Sequence, residues 1–158
     1  MRWGLRTAAC FGVIGMLAGL APAHATGNFL CEADDASLEL AAESTFSHGL
    51  GEAFMGFGAK ATIKVEGTPK DLTELAFASA HLVHHWFTSG ALNLHLYRER
   101  EGSAAHGYVE LIIETRQSPD DETAFAGTYE ITVYDVGVSP GGEGRTWTAK
   151  GKVACSVG

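Results

Sequence analysis

His81-Leu82-Val83-His84-His85-Trp86-Phe87-Thr88-Ser89-Gly90-Ala91-Leu92-Asn93-Leu94-His95-Leu96-Tyr97-Arg98 reads as two strands joined by a tight turn. Leu92, Leu94 and Leu96 alternate with Asn93, His95 and Tyr97, and a period of two marks a half-buried strand. Two registers compete. A three-residue loop, Thr88-Ser89-Gly90, sets Phe87 against Ala91 and gives an apolar face of Leu82, Trp86 and the three leucines, with His84 among them. A two-residue turn at Ser89-Gly90 shifts every pair by one: His84 then faces His95, and Val83, His85 and Phe87 join the leucines. The first register is preferred, because Trp86 and Leu82 are better buried than His85.

Similar alternation surrounds this hairpin. Tyr108–Thr115 has Val109, Leu111 and Ile113 on one face, and Tyr129, Ile131 and Val133 repeat the pattern. In the last strand Trp147, Ala149, Gly151, Val153 and Cys155 face in, against Thr146, Thr148, Lys150 and Lys152. Ala59, Ala61, Ile63 and Val65 form another amphipathic run, and Gly49, Gly51 and Gly56 before it predict bulges or bends. Asp34-Asp35 predicts a turn or bulge between two short strand pieces. Thr68-Pro69-Lys70-Asp71 resembles a helix start, so a short helix is expected near 69–78; a helix continuing to Phe87 is the alternative. The sum is an all-β domain, a single antiparallel β-barrel or β-sandwich of seven or eight strands.

The chain has 158 residues. A basic start (Arg2, Arg6), an apolar run to Ala21 and the pattern Ala23-His24-Ala25 predict a cleaved secretory signal over residues 1–25, a single domain over 26–158 and no membrane span after cleavage. The expected address is periplasmic or secreted. Nine basic residues then stand against nineteen acidic ones, a net charge of −10. That charge is poorly suited to nucleic acid or an anionic membrane, and would tolerate or attract a basic partner. Cys10 leaves with the signal. Cys31 and Cys155 remain and predict one disulfide tying the first strand to the last.

Chemistry has few candidate positions. Imidazole is a common transition-metal ligand, and His85 with His95, or His84 with His95 in the second register, would make a pair for copper or zinc. His81 lies about 13 Å from His85 along a strand, too far to share an ion. Asp34-Asp35 and Asp120-Asp121-Glu122 lack the spacing of a calcium loop. No motif fixes a nucleophile, so no catalytic residue is nominated and a non-enzymatic role is expected. Trp86, Trp147, Tyr97 and Tyr129 would either line a ligand cavity or fill a core. The expected function is a small exported barrel that binds a protein partner or a small apolar ligand. The alternatives are a transition-metal-binding protein using the strand histidines and an enzyme of unknown class.

Overall fold

A computed structural model describes residues 26–47, 53–88, 90–137 and 142–158. The expected signal segment, His48, Gly49, Gly51 and the turn at Pro140-Gly141 lie outside the described residues. Nine antiparallel strands are present: β1 (Thr26–Asp34), β2 (Leu38–Ser47), β3 (Ala53–Ile63), β4 (Glu74–Ala78), β5 (Leu82–Thr88), β6 (Ala91–Glu99), β7 (Gly107–Gln117), β8 (Ala124–Asp135) and β9 (Arg145–Val157). They form one sheet in the order β4-β3-β2-β1-β9-β8-β7-β6-β5, curled into a nearly closed barrel. None of the described helices is long and apolar enough to cross a membrane.

Strand alternation decides the core. Phe29, Leu38, Leu40, Ile63, Leu92, Leu94, Leu96, Val109, Leu111, Ile113, Ile131, Val133, Trp147 and Val153 all turn inward and meet in one cluster. The barrel is therefore filled by its own side chains, as a small barrel can be. The turn at Asp35 is an Asx turn. Its carboxylate accepts the N–H groups of Ser37 and Leu38 at 2.8 and 3.0 Å, and the buried Tyr129 hydroxyl at 2.7 and 2.8 Å. Those bonds, led by Ser37, hold the Asp35 carboxyl below its usual pKa. Gly151, opposite Tyr129, makes room for this contact: a Cβ there would lie 2.1 Å from Asp35 Oδ2. The predicted irregularity at Gly56 is also present, as a register shift between β2 and β3 with Gly56 at φ +69°.

The expected helix near 69–78 shrinks to one 3-10 turn, Lys70–Leu72, which buries Leu72. Residues 74–78 are instead strand β4, which makes nine strands where seven or eight were expected. Leu72, Leu75, Ala76 and Ser79 do keep helical spacing. But Leu75 and Phe77 also alternate with Glu74, Ala76 and Ala78, and pairing with the open edge of β3 favours the second pattern.

The barrel closes in two ways. On one side β1 and β9 pair over four ladder positions, Phe29–Glu32 against Ala154–Val157, and Asn28 and Gly158 exchange backbone hydrogen bonds of 2.6 and 2.9 Å just beyond. Cys31 and Cys155 are directly opposed there and bonded, with Cα atoms 4.0 Å apart. On the other side the chain changes partner. β4 pairs with β3, a 3-10 turn at Ser79–His81 follows, and β5 pairs with β6. Because β4 reaches only Gly58–Thr62 of β3, the stretch 53–57 of β3 and residues 82–86 of β5 have no ladder partner across the gap among the described residues. Side chains bridge this seam. The rings of Phe54 and His85 lie 4.7 Å apart, and Arg98 donates to the carbonyl of Ala76.

The hairpin takes the second register, not the preferred one. Thr88 pairs with Ala91, Phe87 with Leu92, Trp86 with Asn93, His85 with Leu94 and His84 with His95. Gly90 supplies the positive φ (+91°) that a tight hairpin turn requires. A bulge between Leu82 and His84 then restores Leu82 to the leucine side, opposite Leu96, and leaves Val83 56% exposed. Burial of Leu82 was the argument for the first register, and the bulge achieves it without burying Trp86.

Candidate functional site

The filled barrel directs attention outward. Four large hydrophobic side chains are exposed among the described residues: Leu30, Met55, Val83 and Trp86. Met55 belongs to the stretch of β3 that β4 does not reach, while Val83 and Trp86 belong to β5, so three of the four flank the seam. A shallow depression of about 530 Å³ runs beside it between β1, β2 and β3, lined by Asn28, Leu30, Glu43, Thr45, Met55 and Gly56.

The register sorts the histidines. His85 faces the barrel interior and packs on Phe54. Burial, then the neighbouring His84, holds its imidazole pKa below the ordinary 6.5. His85 and His95 therefore lie on opposite faces of the hairpin, which corrects the pair expected from the first register. His84 and His95 are direct cross-strand partners on the outer face. His95 Nε2 stands 2.7 Å from Glu110 Oε1 on β7, and the His84 ring meets Trp86 edge-on at 4.0 Å between centroids. His81 is occupied locally: its Nδ1 accepts the backbone N–H of Ala78 at 2.9 Å. No group of three His, Cys, Asp or Glu side chains stands in a coordinating arrangement among the described residues.

The four singled-out aromatics separate as well. Tyr129 and Trp147 are core, 1% and 6% exposed. Trp147 lies under the Arg145 guanidinium, 4.9 Å from its ring centre, beside Gly67. Trp86 is not core: at 45% exposed it stands on the outer face opposite Asn93. Tyr97 heads an outer row with Tyr108 and Tyr134 on the next two strands, at centroid spacings of 5.2 and 5.3 Å. Burial, then a hydrogen bond to Glu99, pushes the Tyr97 hydroxyl pKa up to about 12.

One element escaped the sequence reading, the seam itself. Its only signal there is the brevity of the Leu75–Phe77 alternation, which cannot cover the whole edge of β3. Comparisons with protein families, curated proteins and solved structures found no match.

Proposed function

We propose that this chain is an exported, disulfide-stapled binding protein that captures an extended segment of a protein partner along the seam between β3 and β5. One observation carries this reading: among the described residues, the edges of β3 over 53–57 and of β5 over 82–86 have no ladder partner across the seam, and exposed Met55, Val83 and Trp86 flank them. Unpaired backbone N–H and C=O groups on a strand edge are templates for strand addition, and alternate apolar side chains beside them give such binding its selectivity. The acidic balance of the chain favours a segment carrying basic residues. The disulfide and the absence of a membrane-length helix among the described residues are compatible with a periplasmic or extracellular address. The packed interior weighs against the other reading, a small apolar ligand held inside the barrel.

The test is a set of extended peptides with alternating apolar and basic residues, screened by fluorescence anisotropy and followed by hydrogen exchange. Saturable binding is expected, with slowed exchange in β5 and in residues 53–57, and weakened binding in Trp86→Ala. Slowed exchange elsewhere on the barrel contradicts the proposal. So does saturable uptake of an anilinonaphthalene sulfonate probe by the folded protein without any peptide binding.

A further inference from the structure

We infer that His84 and His95 form a two-histidine chelate for a borderline divalent transition metal, copper(II) before zinc(II), on the outer face of the β5–β6 hairpin. Directly opposed residues on antiparallel strands carry Cβ atoms about 4.5–5.5 Å apart, close enough for two imidazoles to reach one ion. The tight turn before Ala91 sets this pairing, and the bulge at Val83 lets Leu82 turn inward without disturbing it. With His84 outward, unbroken alternation would turn Leu82 outward too; the extra residue turns it in, opposite Leu96. Bulges commonly re-aim a side chain in this way.

Glu110 supplies the second observation. An ionised carboxylate only accepts hydrogen bonds, so the 2.7 Å contact places a proton on His95 Nε2. That leaves Nδ1 as the nitrogen through which the His95 ring would coordinate a metal. A carboxylate that fixes the ring and tautomer of a ligating histidine is a recurrent support of metal sites. On the other side, the edge-on Trp86 ring orients His84. With only two protein donors the remaining positions fall to water. That suits an imidazole-preferring ion and not calcium or magnesium, which require oxygen ligands. Trp86 also provides the readout, since it is exposed and touches His84, whereas Trp147 is buried in the core.

The experiment titrates copper(II) chloride into the full chain without an affinity tag, following tryptophan fluorescence and calorimetry together. One saturable equivalent is expected, with quenching of Trp86. His84→Ala and His95→Ala should each remove both signals, with circular dichroism confirming that the barrel remains folded. Trp86→Phe should remove most of the quenching and leave the calorimetric binding. Glu110→Gln should weaken the metal about tenfold, as loss of an outer carboxylate does elsewhere. His106→Ala, on a loop away from the pair, should change nothing. Absence of saturable binding, or binding that persists in folded His84→Ala and His95→Ala, overturns the inference. Peptide capture at the seam is measured without metal, so either idea can fail alone.

Discussion

Arg100 shows how single side chains finish this fold. Its guanidinium, 9% exposed, donates to Asp135 at 2.8 Å and to the Ala105 carbonyl at 2.7 Å, and also pairs with Asp71 beside the 3-10 turn. One cation thus ties the end of β8 and the loop after β6 to the segment covering that end of the barrel. The Asp135 carboxyl is more deeply buried still, and Arg100 is the main cause of its lowered pKa. Removing one partner of a buried pair leaves a charge without its compensation, so Asp135→Asn should cost about 3 kcal/mol. That is the low end of the range, because Asp71 still meets the guanidinium. The pH dependence follows from the direction of the shift. A carboxyl with a depressed folded pKa contributes stability above its unfolded value of 3.8 and loses it as pH falls through the folded value. In urea titrations the gap between parent and variant should stay constant from neutral pH to about pH 5 and close below pH 4. A gap that is unchanged at pH 3 would contradict this account of the pair.

The hairpin of β5 and β6 joins the core to the proposed binding surfaces. Leu92, Leu94 and Leu96 were legible as a buried row, because a strand leaves alternate residues no other choice of face. The register was not legible. It turns on whether the loop has two residues or three, and Gly90 satisfies either. The compensating bulge at Val83 leaves no mark in the sequence, so Trp86 was expected inside when it stands outside. β4 was misread for a related reason: five residues carry too little period to separate strand from helix. The two sides of the hairpin should respond differently to truncation. Leu94→Ala should cost about 2–5 kcal/mol, as for other fully buried leucines. Trp86→Ala should stay within about 1 kcal/mol. Comparable losses in urea denaturation would place Trp86 in the core and contradict the register.

Across the barrel as a whole, closure is uneven. Five strands from β9 to β5 pair along most of their length, and so do β1 and β2, but the two groups meet through a short ladder of four positions, the Asn28–Gly158 backbone hydrogen bonds beside it and one disulfide. Cys31 and Cys155 are legible as a bonded pair because the expected loss of Cys10 with the signal segment leaves two cysteines with one pairing to make. The seam opposite is not, since it depends on where the chain changes partner between β4 and β5. With the cysteines 124 positions apart in the chain, the cross-link restricts the unfolded chain by about 4–5 kcal/mol in the entropic account. A Cys31→Ala, Cys155→Ala double variant should lose stability of that order in urea, with hydrogen exchange rising first in β1 and the end of β9. An unchanged midpoint would contradict that role. Everything proposed for the outer surface, peptide capture and metal chelation alike, rests on the register of β5 against β6. Cross-strand nuclear Overhauser contacts in the labelled protein read that register directly. The structure predicts backbone contacts joining His84 to His95 and Trp86 to Asn93. Contacts joining His84 to Leu94 and Trp86 to Leu92 would contradict it.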